Sequence, residues 1–417
     1  MSSVIHRRSD CRCCGSEELA LALSLKPTPI GDAYVTEDQL GQPQSEYPID
    51  LFLCKNCGLA QLIDVIDPKV LYGEYIYVTT SSSGLGEHFS GYAQAVTRRC
   101  GLNADSLVID IGSNDGTLLK HFQGYGMAVL GIEPAVHIAE KATASGVQTV
   151  GEFFSPALAR KIVEQFGHAK VITANNVFAN IDDLGAWVHG VNILLADDGV
   201  FVFESYYLAD LLENMVFDFL YHEHLSAFSV RPIQALFKQI GLELVAVDRV
   251  STKGGSLRYF VQRSTGPVTQ DGTVAAMLAH EEKMGIYRIE TYIQYAKKID
   301  HLKDETLRFL KQAKSEGKIV AGYGASVTGT TLIYHFEMGE YIDYLVDDNT
   351  AKQGRFSPGY HLPVFPSSEL VERKPDYVII LAWRFANQII NGNAGYIEKG
   401  GAFIVPVPEF HACPPKH

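Results

Sequence analysis

No stretch of this chain approaches the ~20 consecutive apolar residues that a membrane span needs. No apolar leader is expected either, because Arg7, Arg8, Asp10 and Arg12 stand where the core of one would lie. The expectation is a cytoplasmic protein with no membrane partner. Positive charge is also in short supply: lysine and arginine number 35 against 48 aspartates and glutamates, a formal charge of -13. That balance speaks against nucleic-acid binding, which gains affinity by neutralising phosphates with basic side chains, although it leaves room for a local basic pocket. Cysteine is scarce and unevenly placed. Five of the seven fall within the first 57 residues, in a spacing that points to metal in a reducing compartment rather than to disulfides. Cys100 and Cys413 are expected as free thiols.

The rest is ordinary globular material, 47% hydrophobic and 20% charged. At 417 residues the chain is too long for one core. Three domains are expected, over 1–80, 81–265 and 266–417.

In the first domain, Cys11-Arg-Cys-Cys14-Gly and Cys54-Lys-Asn-Cys57-Gly each place two thiols on a short knuckle closed by glycine. Two such knuckles make a tetrahedral four-thiolate zinc site from Cys11, Cys14, Cys54 and Cys57, structural because no position stays open. Cys13 can replace either neighbour by spacing alone. Further on, Tyr75 and Tyr77 alternate with Ile76, so a strand would put both on one face, as packing groups or facing a substrate.

The second domain is organised around Val108-Ile-Asp-Ile-Gly-Ser-Asn-Asp-Gly116, a buried strand entering a glycine turn ahead of a helix over 117–123. Gly112 and Gly116 allow unusual backbone angles and close ligand approach. The loop is acidic, with carboxylates at Asp110 and Asp115 and the amide of Asn114 between them as a further cofactor contact, where a phosphate loop would want backbone amides and lysine. A ligand with hydroxyls or a cation suits it, and S-adenosylmethionine is such a ligand. Further strands are expected over 128–132, 147–150, 171–174 and 200–204, with helices between, which is a doubly wound α/β sheet. Glu133 ends the second strand, where an acid binds ribose hydroxyls. Asn175 and Asn176 end the fourth and can hold the amino-acid end of the cofactor. Two more strands, over 242–250 and 256–262, give the antiparallel finish of a methyltransferase rather than a dehydrogenase.

The third domain opens with one or two long helices over 274–317. It then repeats the strand, glycine turn and helix in Lys318-Ile-Val-Ala-Gly-Tyr-Gly-Ala-Ser-Val-Thr-Gly329. Strands at Tyr344-Leu-Val-Asp-Asp348 and over 376–383 make a small Rossmann-like unit, which suits NAD or a nucleotide sugar.

Asp110-Ile-Gly-Ser-Asn-Asp-Gly116, Gly131-Ile-Glu-Pro134, Asn175-Asn-Val-Phe178, Asp218-Phe-Leu-Tyr-His-Glu-His-Leu225 and Gly254-Gly-Ser-Leu-Arg258 together resemble the motifs of the three-domain, zinc-containing sugar C-methyltransferases. The likeness covers nearly the whole chain. It implies an N-terminal zinc domain, a class I S-adenosylmethionine-dependent methyltransferase domain and a C-terminal Rossmann-like domain that takes a nucleotide-linked keto sugar. The implied reaction is methylation at C-3 of a dTDP- or GDP-linked 4-keto-6-deoxyhexose through an enolate. His224 is the implied base, with Tyr221 and Glu223 as its neighbours and Tyr75 as a further candidate. Imidazole suits the task because its ordinary pKa of about 6.5 lies near working pH.

For the acceptor, the resemblance assigns Gly324, Ala325 and Ser326 as amide donors to a diphosphate, with Asp347 and the cations Lys352, Arg355 and Arg384 nearby. Tyr77, Asn180, Lys253 and Arg258 complete the expected substrate contacts. The chain departs from the family pattern at Asn180 and Lys253, where the family has histidine, and at Thr328, where lysine is expected. Lys253 can stabilise an enolate oxygen electrostatically. A monomer is expected. The competing readings are an O- or N-methyltransferase and a non-catalytic zinc scaffold with a relic methyltransferase domain.

Overall fold

Buried Ile49, Leu51 and Leu53 alternate with half-exposed neighbours, which makes Tyr47–Cys54 a strand with one wet face. It is β3 of a computed structural model that describes residues 4–72 and 85–413; Tyr75, Tyr77 and the polar run 79–84 lie outside those residues. β3 pairs antiparallel with β2 (Leu19–Thr28) and β4 (Ala60–Leu62). A separate ribbon joins β1 (Ile5–Arg7) to β5 (Asp64–Ile66).

The central domain is built on β6 (Leu107–Ile111), β7 (Ala128–Ile132), β8 (Thr149–Val150), β9 (Ala169–Asn175) and β10 (Leu195–Tyr206). β6 is buried at every position after Leu107, as expected of a parallel strand covered on both faces. After β10 the chain leaves this sheet and forms β11 (Ser226–Ala227), which adds to β4 as the fourth strand of the N-terminal sheet. It then returns as β12 (Glu243–Val250) and β13 (Ser256–Gln262). The seven-stranded order is β12-β13-β10-β9-β6-β7-β8. β13 runs antiparallel to both neighbours, the finish expected from the sequence.

Several elements depart from their expected bounds. β10 is longer at both ends than 200–204, because its partners β9 and β13 extend alongside it. β8 is shorter than 147–150, since Val147 is fully buried behind Gly116 and does not join the ladder. The helical stretch over 274–317 breaks at Gly285, whose φ of +69° caps Thr273–Met284 before Ile289–Ser315 begins.

The C-terminal sheet comprises β14 (Val320–Tyr323), β15 (Tyr344–Val346), β16 (Val364–Phe365), β17 (Tyr377–Ile380), β18 (Ala402–Val405) and β19 (His411–Cys413). Its order is β16-β15-β14-β17-β18-β19, parallel except for β19, which is the Rossmann-like unit expected. Among the described residues no helix is long and apolar enough to cross a membrane.

Candidate active site and metal centre

The two glycine-closed knuckles bring the thiols of Cys11, Cys14, Cys54 and Cys57 within 4.8 Å of one another. Cys11 Sγ lies 3.5 Å from Cys57 Sγ, and Cys14 Sγ 3.6 Å from Cys54 Sγ. A tetrahedral zinc with bonds of about 2.3 Å sets its sulfurs roughly 3.8 Å apart, so the donor set fits the ion in both chemistry and size. Cys13 stands outside the cluster. Its thiol is buried, and its carbonyl accepts from Gln239 Nε2 at 2.9 Å.

At the carboxyl ends of β6, β7 and β9 lies a cavity of about 450 Å³, lined by Asp110, Gly112, Asn114, Glu133, Asn175, Asn176 and Asn180 among others. Gly112 has φ +75°, and a Cβ there would stand 2.3 Å from Val177 Cγ2, so only glycine lets the turn close. Gly116 does not line the cavity; with φ +76° it starts the helix Thr117–Gly124. Asp110 is pushed up to about 7 by burial, against the pull of the Thr173 hydroxyl donating to it at 2.6 Å. Glu133 is raised by burial and accepts from the backbone N–H groups of Asn114 and Ala135 at 3.0 and 2.9 Å. Its fixed carboxylate still has lone pairs for a ribose diol.

Sequence reasoning missed the apolar wall. Phe153, Phe154 and Trp187 line the same cavity, with Phe154 and Trp187 edge to face at 5.2 Å. Two adjacent aromatics just past the end of a strand in an α/β sheet were the available signal, since that rim carries the ligand.

The motif 221–225 lies where β11 leaves for the N-terminal sheet. His224 is buried and stacked against Tyr206 at 4.8 Å. Its Nδ1 lies 2.8 Å from the Phe219 carbonyl and its Nε2 2.8 Å from the Tyr221 hydroxyl. A carbonyl can only accept, so Nδ1 carries the proton and Nε2 accepts from Tyr221. Burial and the Lys253 ammonium push His224 down to about 3, which keeps it neutral. His222 turns the other way, donating to the Tyr47 carbonyl at 3.2 Å.

Glu223 is half-buried and pushed up to about 7 by burial and by Asp32. Lys253 is brought down to about 8 by burial, partly countered by Glu223. It lines the cofactor cavity and also a small cleft beside Tyr206 and Phe219, the residues packed on His224. Among the described residues its ammonium has no hydrogen bond and no ion pair.

The other expected acceptor contacts are engaged elsewhere. Arg258 grips Glu204 at 2.7 and 2.6 Å beneath the Tyr92 ring, and His88 holds the other Glu204 oxygen at 2.7 Å. Arg384 reaches both oxygens of the fully buried Asp218 at 3.0 Å. Lys352 donates to Asp32 at 2.6 Å and to the Ala325 carbonyl at 2.7 Å.

At the second glycine turn, Gly324 crosses Ala382 closely with φ +109°. The Ala325 amide donates to Asp347 at 2.6 Å, and Ser326 Oγ caps its own helix through Gly329 N at 3.1 Å. Gly31 of the N-terminal domain packs on Val327, and its carbonyl accepts from Thr330 at 2.9 Å. Of the three amides, that of Ala325 is thus held by Asp347 and that of Gly324 by the Val346 carbonyl at 2.9 Å, so in this structure neither of these two is turned to a diphosphate.

A glycine turn on the first strand, an acid on the second and a cavity between them, set in a parallel sheet with one antiparallel strand, define an S-adenosylmethionine-dependent methyltransferase. Family models match along the chain: a zinc binding domain at residues 11–72, a methyltransferase domain at 86–247 and a C-methyltransferase C-terminal domain at 251–408. The C-methyltransferase NovU of Streptomyces niveus is 33% identical over 411 residues, covering 98% of each protein. The chain belongs to the zinc-containing C-methyltransferase family, and its activity is S-adenosylmethionine-dependent C-methylation. That sets aside methylation of oxygen or nitrogen and the non-catalytic scaffold. The chain is also similar to the magnesium protoporphyrin IX methyltransferase of Synechocystis PCC 6803 solved with bound SAH, at 16% identity over 47% of this chain and 92% of that one, with a TM-score of 0.34.

Proposed function

We propose that the acceptor is a nucleotide-linked 4-keto-6-deoxyhexose, carried by dTDP or GDP, and that C-3 is methylated after a proton is removed from it to give an enolate. The observation that carries this reading is the Tyr221–His224 pair, a neutral imidazole with its acceptor nitrogen on a phenol, beside Lys253 at the cofactor cavity, whose ammonium is unpaired among the described residues. Carbon is not nucleophilic without such a base, whereas an oxygen or nitrogen acceptor needs none. Bound S-adenosylmethionine supplies an electrophilic methyl group, and Asp110, Glu133, Asn175 and Asn176, which line the cavity, are the residues we assign to hold it.

The work of this chain is then to make the acceptor carbon nucleophilic. The C-3 proton ends on His224 Nε2, directly or through the Tyr221 hydroxyl, which passes its own proton to that nitrogen as it takes the new one. The low pKa of His224, set by burial first and by Lys253 second, opposes this step in the empty site. A developing enolate eases it: its negative charge favours the protonated imidazole, and by pairing with Lys253 it screens that ammonium from His224. Glu223 faces Lys253 and favours its charged form. With Arg258 and Arg384 already paired, Lys253 is the basic group we assign to the keto oxygen. Tyr77 and Asn180 are retained as candidates for holding the sugar, and Tyr75 as a further candidate for the base, in a cytoplasmic enzyme.

The test is exchange of the C-3 proton into deuterated solvent, with S-adenosylhomocysteine in place of the methyl donor so that exchange is read without transfer. Wild type should wash the label in. His224→Asn should lower both exchange and turnover by ~100-fold or more while leaving S-adenosylhomocysteine affinity intact, the usual scale of a lost general base. Full turnover in that variant would sink the assignment of His224.

A further inference from the structure

Arg12 stands between two thiol donors of the metal cluster, Cys11 and Cys14, and its side chain is wholly enclosed. A guanidinium so buried needs acceptors, and two of its three nitrogens find them, on three separate parts of the molecule. Nε donates to Asp182 Oδ1 at 3.0 Å, and Asp182 is in the wall of the cofactor cavity, next to the residue that caps the helix Leu184–Leu194. One terminal nitrogen donates to Gln61 Oε1 at 3.2 Å and to the Leu62 carbonyl, both on β4. That nitrogen also lies 3.5 Å from the carbonyl of Leu225, the residue after His224. Leu62 N donates to the same Leu225 carbonyl at 2.9 Å, where β11 pairs with β4. Arg8 and His6 add a second and third basic contact to Asp182, each at 3.2 Å.

We infer that Arg12 is a positioning residue through which the metal knuckle sets both the Asp182 wall of the cofactor cavity and the loop that carries His224. Zinc on Cys11 and Cys14 fixes the backbone on either side of Arg12. The planar fork then holds two distant segments in one geometry, which a flexible lysine ammonium cannot do. Metal occupancy and cofactor affinity are thereby coupled, and coupling between two binding sites is reciprocal. The cofactor arm stands whatever the acceptor is; only the Leu225 arm rests on the reading of His224 as the base.

The experiment uses the full chain without any acceptor, so a failure of the sugar reading does not touch it. Zinc affinity is measured by competition with a chromophoric chelator, with and without saturating S-adenosylhomocysteine. Wild type should bind zinc about 10-fold tighter with the ligand present, in the ordinary range of coupling between sites. Arg12→Met should keep stoichiometric zinc, bind S-adenosylhomocysteine correspondingly more weakly and lose the linkage, and Arg12→Lys should recover only part of it. Wild-type zinc affinity indifferent to the ligand would overturn the inference, whether or not either variant folds. So would an Arg12→Met protein with normal zinc content and a linkage equal to that of wild type.

Discussion

Lys253 holds φ 57° and ψ 26°, a left-handed conformation that costs a residue with a Cβ roughly 1 kcal/mol or more. Gly254 and Gly255 behind it have no side chains to yield: a Cβ on Gly255 would stand 2.4 Å from Asp210, and one on Gly254 3.1 Å from Arg384. The hairpin between β12 and β13 is thus wedged in place, and its strained residue is the cavity-lining lysine whose ammonium is unpaired among the described residues. Strain held at such a place is a pointer to function. Its chemistry also fixes a pH dependence. Glu223 titrates at about 7 and Lys253 at about 8, so both are charged only in a narrow window between. Below it Glu223 takes up a proton and stops supporting the ammonium; above it Lys253 loses the charge that the proposed mechanism assigns to the enolate. The profile of kcat/KM, which reports the free enzyme, should be a bell with limbs near those values. Lys253→Met should abolish the alkaline limb and lower kcat by ~100-fold, the scale of a lost oxyanion donor. Glu223→Gln should remove the acid limb. A wild-type alkaline limb that survives in Lys253→Met would assign it to another group.

At the scale of elements, the cofactor cavity is framed by helix starts. Ser155 accepts from Leu158 N at 3.2 Å with Pro156 at the first helical position, and Asp183 accepts from Ala186 N at 2.9 Å. Asp183→Ala should lower stability by ~1 kcal/mol, seen as a lower urea midpoint with an unchanged slope. Local signals of this kind are why β7 and β13 have the bounds their sequences announce. Apolar run, cap, proline and glycine all act within a few residues. β10 and β8 deviate because their lengths depend on partners in the sheet. β11 was not legible at all: two residues, Ser226 and Ala227, form a strand only because β4 offers them an edge.

Across the whole molecule the same distinction decides which site residues could be read. The glycine turn and Glu133, which lie at the cavity, and the four clustered thiols are marked by short-range patterns. Arg384 and Lys352 looked like free phosphate ligands because their partners lie far off in sequence, Asp218 in the central domain and Asp32 in the first. Those pairs tie the C-terminal domain to the other two. Asp218 is the stronger tie, fully buried and accepting from Trp383 Nε1 at 3.0 Å as well as from Arg384, whose guanidinium also lies over the Phe219 ring. Burial alone raises Asp218, so its ionised form depends on this donor pair. Asp218→Ala would strand a largely buried guanidinium and an indole N–H together, at a cost of roughly 3 kcal/mol. Asp218→Asn keeps an acceptor for Trp383 and should lose less. Because the lost contacts join domains rather than fill a core, the damage should appear as uncoupling: calorimetry of the alanine variant should show the C-terminal domain melting ahead of the rest, where the asparagine variant keeps more of the common transition. A single transition at the wild-type temperature in Asp218→Ala would mean that the domains are held together elsewhere, with Lys352 and Asp32 the next pair to break.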